Sequence, residues 1–407
     1  MERNAPKILF VTHKYPPSLG GMQQQSYALT RNYQEIGESS VIAYNSRYPV
    51  WLFFLIIIPW VAIRLIKDRE IDVIHGNDGL MGIFLTPFLI SRKKVFVTVH
   101  GLDVYLGMRA YQWWVRTFLK RFEGVIAVSA ETAAGCVERG VPEKKVSIVL
   151  NACDTNWSDS KDPEFAKWLK EQHGIDCDKQ VIVLSAGRPV PRKGFSWFAG
   201  NVLPDLPDDA IYAVVGPASG AGPMLQFLRK FLPDALFQGL CHAVGAETDY
   251  IKLKDISQRP ELKGRVALLG RLPREHLNQI YLHSHIYVMP NLKVEGDFEG
   301  FGLVIQEATY NGALCLAADV DGIPSAIRDG ETGILLPSGN AAAWTARINA
   351  LCADPEQRGS LARRFQAKLR KDMTTWADVA LAYQRIFSVS LARDTKTSDG
   401  SPMSETH

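Results

Sequence analysis

The sequence predicts an α/β protein with two doubly wound parallel sheets. Short apolar runs typical of buried strands alternate with helical stretches along most of the chain, and this alternation favours parallel sheets. The chain has 407 residues, which is more than a single hydrophobic core usually serves, so two domains are expected. A polar, charged stretch at residues 154–178 is predicted to be the boundary between them.

The composition is that of an ordinary globular protein, with 46% hydrophobic and 22% charged residues. The formal net charge of +3 is too small to indicate a nucleic-acid partner, so none is expected. The six cysteines include no C-x-x-C pair and no histidine at zinc-ligand spacing, which indicates free thiols in a reducing compartment. Residues 1–7 do not resemble a secretion signal, so a cytoplasmic location is expected.

The first domain is predicted to begin with a strand at residues 7–12, a loop closed by Gly20 and Gly21, and a helix at residues 22–36. This order gives a phosphate-binding geometry at the first crossover, although the glycines do not form a G-x-G-x-x-G fingerprint. A simple turn at the two glycines is an equal alternative. Further strands are expected at residues 40–44, 73–75, 95–100, 124–128 and 146–150.

Polar residues follow several of these strands, at the carboxyl ends where parallel sheets bind ligands. They are His13, His75, His100 with Asp103, Ser129 with Glu131, and Asn151 with Asp154. A histidine such as His100 at a strand end can donate to a phosphate or hydroxyl and titrates near neutrality. A purely structural histidine is the alternative.

The second domain is predicted to have strands at residues 180–185, 210–216, 266–269, 286–289, 313–317 and 333–336. The turn after its first strand carries Arg188, Arg192 and Lys193 between two glycines. Three cations at a strand end predict a clamp for a diphosphate. A solvated basic turn is the alternative.

Residues 294–311 place Glu299 on a loop with Gly300, Phe301 and Gly302, and Glu307 in the helix that follows. The glycines allow close approach of the backbone to a ligand, and the helix start offers unpaired N–H groups. Ionised carboxylates accept hydrogen bonds from sugar and ribose hydroxyls. The loop therefore predicts a hydroxyl-rich or anionic ligand, with an ordinary loop and a surface helix as the alternative.

The longest apolar run, residues 51–63, is interrupted by Pro59 and followed by Arg64 and Lys67. It is shorter than the ~20 residues that a membrane-spanning helix needs. A buried helix and a helix lying in a membrane interface are both open. Aromatic and basic residues at 109–121, including Trp113, favour contact with an anionic membrane surface.

In their order and spacing these motifs resemble the retaining glycosyltransferases of family 4, which have the GT-B fold. The matching segments are residues 16–21, 98–101, 128–131, Asn151 with Asp154, 187–194, 270–271 and 329–333, together with the Glu-x7-Glu motif formed by Glu299 and Glu307. The resemblance implies two Rossmann-like domains that face each other across a cleft. Residues 1–165 would bind the acceptor and residues 175–372 the nucleotide sugar. The helix at 373–392 is expected to pack back on the first domain, and the polar tail at 393–407 to be disordered.

The resemblance also implies roles for individual residues. Arg188 and Lys193 would hold the diphosphate, and Glu307 the ribose hydroxyls. Glu299 and the backbone of residues 300–302 would hold the donor sugar, Gly20 and Gly21 would face the diphosphate, and His100 would lie near the reacting carbon. The catalytic candidates are therefore His100, Glu299, Arg188 and Lys193, and the candidates for binding the nucleotide sugar are Gly20, Gly21, Arg188, Lys193, Gly300, Phe301, Gly302 and Glu307.

The implied reaction moves a hexose from a UDP- or GDP-linked donor to a hydroxyl of a carbohydrate or lipid-linked acceptor, with retention and without a metal. The string Asp319-Val-Asp321 lies in a loop of the family, so it is not interpreted as a metal site. Polysaccharide, lipopolysaccharide or glycolipid synthesis at the inner face of the cytoplasmic membrane is expected. A sugar-nucleotide epimerase and a non-catalytic sugar-nucleotide or lipid-binding module are the alternatives. The donor base, the acceptor and the oligomeric state are left open.

Overall fold

The computed structural model describes residues 5–18, 20–45, 47–217 and 248–398. Two compact units are present. The first is formed by Met1–Ala152, Gly296–Phe301 and Thr374–His407, and the second by Cys153–Glu295 and Gly302–Met373. Each contains one six-stranded parallel sheet with helices packed on both faces. The predicted class, α/β with two doubly wound parallel sheets, is therefore confirmed.

The first sheet consists of short strands that are mostly buried. They are β1 (Ile8–Thr12), β2 (Ser39–Ala43), β3 (Val73–Gly76), β4 (Lys94–Val99), β5 (Gly124–Ala127) and β6 (Val146–Ile148). Their order across the sheet is β2-β1-β3-β4-β5-β6, and all neighbouring pairs are parallel. The strands follow the predicted ones closely, because strands buried on both faces appear in the sequence as continuous apolar runs.

Several α-helices of the first unit lie among the described residues before 152. They are α1 (Gly21–Gln34), α2 (Val50–Lys67), α3 (Gly79–Leu85), α4 (Leu102–Tyr105), α5 (Arg109–Phe118) and α6 (Ala130–Glu138). Apolar side chains of α2 to α6 pack on one face of the sheet, and those of α1 pack on the other.

Helix α2 is longer than the apolar run that predicted it, and the interpretation as a buried helix is wrong. It continues through Pro59, and its buried residues are Phe53, Ile57 and Val61, which form one stripe against the core. Most of its other side chains are apolar and at least partly exposed, with Leu55 at 67% and Ile66 at 69%. Within the described ranges α2 is the helix that is long and apolar enough to cross a membrane, by length and composition alone.

The second sheet has the strands β7 (Val181–Ala186), β8 (Ala210–Val215), β9 (Val266–Gly270), β10 (Ile286–Met289), β11 (Leu314–Asp319) and β12 (Ile334–Pro337). Their order is β12-β11-β10-β7-β8-β9, again with all pairs parallel. The helices described in this unit are α7 (Pro163–His173), α8 (Phe195–Asn201), α9 (Thr248–Ser257), α10 (Arg274–His283), α11 (Leu303–Tyr310), α12 (Ala341–Ala353) and α13 (Pro355–Asp372).

The stretch predicted as a domain boundary belongs to the second unit, which begins at Cys153 rather than at residue 175. It contains α7, whose Phe165 and Leu169 are buried in the core of that unit. The side chain of Asn278 accepts from the Ser158 N–H at 3.1 Å and donates to its carbonyl at 3.2 Å. The charged residues of α7 itself, such as Lys167 and Lys170, lie on its exposed side.

The last helix, α14 (Trp376–Ser398), belongs to the first unit and packs along α1. Its Tyr383 and Phe387 are buried, and the Tyr383 hydroxyl is 2.9 Å from Thr98 Oγ1. The helix ends at Ser398 rather than at residue 392, because no proline or glycine interrupts the sequence before Gly400. Residues 399–407, the rest of the tail expected to be disordered, lie outside the described residues.

Each sheet reverses its strand order at one point. In the first unit β1 lies between β2 and β3, and in the second β7 lies between β10 and β8. Connections from the strands on either side of such a point leave in opposite directions and open a crevice at the carboxyl edge, where ligands bind. The loops after β1 and β3, and those after β7 and β10, are therefore the places to look for a site.

Candidate active site

Polar side chains gather at the carboxyl edge of the first sheet. His13 follows β1, Asn77 and Asp78 follow β3, and His100 follows β4. His100 Nε2 is 2.9 Å from the carbonyl oxygen of Asn77, and the His100 N–H donates to Asp103 Oδ2 at 2.8 Å. Because a carbonyl only accepts, Nε2 carries the proton and Nδ1 is the ring atom left to accept from a ligand. One hydrogen bond thus holds the ring of His100, the predicted catalytic residue, and another holds its backbone.

A buried hydrogen-bond network joins this edge to the start of α1. The Asn77 side-chain nitrogen donates to Gln25 Oε1 and Ser26 Oγ, both at 2.6 Å. Both acceptors lie in the opening turns of α1, which begins at Gly21 directly after Gly20. A helix start fixed in this way presents its unpaired N–H groups at a constant position, as the predicted phosphate loop requires.

His75 does not belong to the site, contrary to its place among the predicted crevice residues. It is completely buried within β3, and its Nε2 is 2.8 Å from Thr98 Oγ1. Burial lowers the pKa of His75 to about 3, so the ring is neutral at physiological pH. Asn77 and Asp78 come directly after the strand and contact Gln25, His100 and His13, and their polarity at that position was the signal that sequence analysis missed.

The Asp78 carboxylate is buried yet ionised. It caps α3 by accepting from the Met81 N–H at 2.9 Å, and its Oδ2 is 3.1 Å from His13 Nδ1. Burial raises the pKa of Asp78, but the pairing with His13 and the hydrogen bond from the Met81 N–H outweigh it and hold the pKa below its ordinary value. Burial and the charge of Asp78 raise the pKa of Asp103. As the pH falls, Asp103 therefore takes up a proton before Asp78 does.

The loop that carries Glu299 packs within the first unit, against the same edge. The ring of Phe298 stacks on Tyr105 with centroids 4.3 Å apart and planes 9° from parallel. Gly300 lies so close to His100 that a Cβ at this position would be 2.2 Å from the His100 carbonyl oxygen. Because Glu299 stands between Phe298 and Gly300 in the chain, these contacts hold its backbone beside His100.

The basic turn after β7 is not an ordinary solvated turn. Lys193 is 8% exposed, although Arg188 is exposed. Gly194 has a φ of 66°, and a Cβ there would be 2.1 Å from the carbonyl oxygen of Pro290, directly after β10. The turn is therefore packed against the switch point of the second sheet, and Lys193 is a buried cation at its carboxyl edge.

Glu307 is buried in α11 and is not the surface residue of the alternative interpretation. It is 5% exposed, and its Oε2 accepts from the Tyr281 hydroxyl at 3.3 Å. Burial, together with the charge of Glu307, raises the pKa of Tyr281, so the phenol keeps its proton. Gly302 precedes α11 with a φ of 93°, a conformation that favours glycine.

The predicted residues fall into two groups. The first unit holds Gly20, Gly21, His100, Glu299, Gly300 and Phe301, and the second holds Arg188, Lys193, Gly302 and Glu307. Asp319 and Asp321 lie at and after the end of β11. In the part of the chain that the structure describes, no three His, Cys, Asp or Glu side chains are grouped to hold a metal ion.

Each unit presents groups of a kind that suits group transfer from an anionic leaving group. The second unit offers a buried cation and a buried carboxylate at one carboxyl edge, which match the charge of a diphosphate and the hydroxyls of a ribose. The first unit offers a helix start, an oriented imidazole and a loop carboxylate.

Comparison with known proteins agrees with these features. The family model for Glycosyl transferases group 1 matches residues 169–368, and that for Glycosyltransferase Family 4 matches residues 8–157. A GDP-mannose-dependent alpha-(1-6)-phosphatidylinositol monomannoside mannosyltransferase of Mycolicibacterium smegmatis is 24% identical over 388 residues, which cover 87% of this chain and 91% of that protein. A D-inositol 3-phosphate glycosyltransferase of Nocardia farcinica is 33% identical over 289 residues, 63% of this chain and 56% of the relative.

Among solved structures, Anabaena HepE in complex with UDP and glucose aligns with a TM-score of 0.69 at 20% sequence identity. The alignment covers 95% of this chain and 100% of that one. At this identity the likeness shows the fold alone.

Proposed function

Because the chain is a glycosyltransferase of family 4 with the GT-B fold, we propose that it transfers a hexose from a nucleotide-diphosphate sugar to a hydroxyl of a lipid-linked acceptor, with retention. The observation that supports a nucleotide-diphosphate sugar as the donor is the pair of buried ionisable side chains in the second unit, Lys193 and Glu307. Membership of a family of transferases sets aside the epimerase and the non-catalytic module.

The proposed chemistry needs no side-chain base and no metal. The bond between the anomeric carbon and the diphosphate breaks, and the acceptor oxygen bonds to that carbon from the same face. The leaving phosphate oxygen takes the hydroxyl proton. Lys193, Arg188 and helix N-termini offset the negative charge that develops on the diphosphate. His100 and Glu299 hold the sugar, and Glu307 holds the ribose.

A lipid-linked acceptor is supported by a docking face on the first unit. Helices α2, α3 and α5 pack on the same side of the sheet. The docking face consists of the exposed apolar side chains Trp51, Leu55, Ile63 and Ile66 of α2, Ile90 after α3, and Trp113 of α5. Residues 47–121 contain eleven Lys and Arg against five Asp and Glu. An apolar surface in a segment with an excess of cations suits an anionic membrane.

The geometry of α2 favours a helix lying on the membrane over one that crosses it. Phe53, Ile57 and Val61 are completely buried in the core of the first unit. A helix that spanned the bilayer would have to withdraw this stripe from the sheet. The names of two relatives also mention an inositol-based molecule, so an inositol lipid at the inner face of the cytoplasmic membrane is the first acceptor to test.

The donor is tested by thermal shift and hydrolysis with UDP-, GDP- and ADP-sugars. One donor is expected to raise the unfolding temperature and to be hydrolysed slowly. In Glu307→Ala both effects should be lost, since the carboxylate that holds the ribose hydroxyls is gone. An equal shift in the variant would show that Glu307 is not part of the donor site. The absence of both thermal shift and hydrolysis with every donor tested would contradict the proposed donor class.

Membrane docking is tested by sedimentation with anionic vesicles. The double variant Leu55→Ser, Ile66→Ser is expected to bind at least tenfold more weakly, because each exposed aliphatic side chain contributes about 1.5–3 kcal/mol when it is buried. Val389→Ser, at a residue of α14 that is 53% exposed, is the matched control and should bind normally. Binding should also weaken as salt rises. Equal binding of both variants would exclude α2 from the membrane contact.

A further inference from the structure

His13 is a side chain at the switch point of the first sheet that the mechanism above does not use. We propose that it binds a hydroxyl of the acceptor headgroup through Nε2, an inference that rests on the proposed lipid-linked acceptor. It follows β1 directly, on the carboxyl edge that also carries His100. Ligands of doubly wound sheets bind at such a point.

The His13 ring lies against the carboxylate of Asp78. Nδ1 is buried and lies 3.1 Å from the carboxylate Oδ2. Asp78 in turn is held as the cap of α3 by the N–H of Met81, so the pair is anchored to a helix start. With Nδ1 buried beside the carboxylate, Nε2 is the nitrogen that can meet a ligand.

The other side of His13 is apolar. Its ring lies 5.7 Å from the ring of Phe54 in α2, and Phe54 stacks on Phe84 of α3 at 5.3 Å. The helix that carries Phe54 also presents most of the docking face. A molecule that reaches His13 along α2 therefore meets an apolar surface first and a polar nitrogen afterwards, which is the order of groups in a lipid with a hydroxylated headgroup.

A hydroxyl can form a hydrogen bond with His13 Nε2 in both protonation states of the ring. A neutral ring accepts the hydroxyl proton at Nε2, and a charged ring donates to the hydroxyl oxygen. In the proposed reaction the proton of the attacking hydroxyl goes to the leaving phosphate, so His13 binds and orients the headgroup without acting as a base. Its contribution should therefore appear in transfer to lipid and not in attack by water.

The test compares two products of the full-length protein. UDP-glucose and GDP-mannose are supplied with phosphatidylcholine vesicles that contain phosphatidylinositol, and sugar transferred to lipid is measured alongside free sugar released by hydrolysis. His13→Ala is expected to lower lipid transfer about tenfold, the scale of one hydrogen bond, while hydrolysis and vesicle sedimentation stay unchanged. Asp78→Asn, which keeps the oxygen that caps α3, should lower transfer in the same direction. His173→Ala on α7 is the matched control.

The outcomes separate this assignment from the function on which it rests. A wild-type protein that transfers sugar to lipid, with an unchanged ratio of transfer to hydrolysis in His13→Ala, would overturn the role of His13 and leave the proposed function intact. An equal fall in both products would place His13 in the donor site and also overturn it. Hydrolysis by the wild-type protein without any lipid transfer would reject the lipid acceptor and, with it, the role of His13.

Discussion

Replacing Gly300 with alanine is expected to lower turnover at least ~100-fold, because a displacement of about 1 Å at a reacting centre can cost that much. The new Cβ would lie 2.2 Å from the carbonyl oxygen of His100. The obstacle is backbone, so it cannot turn aside as a flexible side chain could. The loop must move, and Glu299 moves with it.

The measurement is steady-state transfer together with thermal unfolding. Gly200→Ala in α8 is the control, since its Cβ would meet only Ile256 Cδ1 at 3.5 Å, and it should keep normal activity. Gly300→Ala is expected to unfold somewhat below the wild-type temperature but to stay folded under assay conditions, because moving the loop disturbs the buried rings of Phe298 and Phe301. Turnover within a few-fold of wild type would show that the contact between Gly300 and His100 does not position the reacting groups.

Replacing Lys193 with methionine is expected to lower kcat/KM for the donor by about 10²–10³, the range found when one preorganised stabilising group is removed from a charged transition state. Lys193 is 8% exposed at the switch point of the second sheet. In such a position its charge is screened little by water, so the diphosphate loses more than it would from a surface lysine.

Methionine has a similar length, so the variant removes the charge and preserves the packing. Lys179→Met, at an exposed lysine before the amino end of β7, is the matched control and should be nearly silent. Raising the salt concentration should not mimic the Lys193 defect in the wild-type protein. A variant with normal kcat/KM would mean that Lys193 plays no part in stabilising the leaving group.

The sheets were predictable because their signal is local. Strands such as β4 and β10 are short apolar runs closed by a turn or a proline. Because both faces of these strands are buried, their apolar residues are consecutive and do not alternate with polar ones. The boundary stretch at 154–178 was misjudged for a physical reason: α7 is buried along one side only, so its composition is that of a linker. Helix α2 shows the opposite error, because apolar residues do not report whether a neighbouring layer covers them.

The candidate site was predictable only in part. Residues that follow strands, such as His100 and Lys193, are positioned by the sheet itself, and the sheet was predicted. The stack of Tyr105 on Phe298 and the pairing of Asp78 with His13 join segments that are far apart in the chain. One sequence carries no local pattern for such contacts, and only the tertiary structure brings the partners together.

The position of α14 affects how the protein is made. Its Phe387 fills the core around Tyr33 and Phe96, so the first unit lacks part of its interior until residue 387 has left the ribosome. At synthesis rates of about 5–20 residues per second, on the order of 10–50 s pass between the synthesis of Ala152 and that of α14. Throughout this time the N-terminal part of the first unit has an incomplete apolar core. During that time the nascent chain exposes the surface that α14 later covers, together with the apolar side of α2. Early binding of the nascent chain by a chaperone, or early contact with a membrane, would therefore protect it from aggregation.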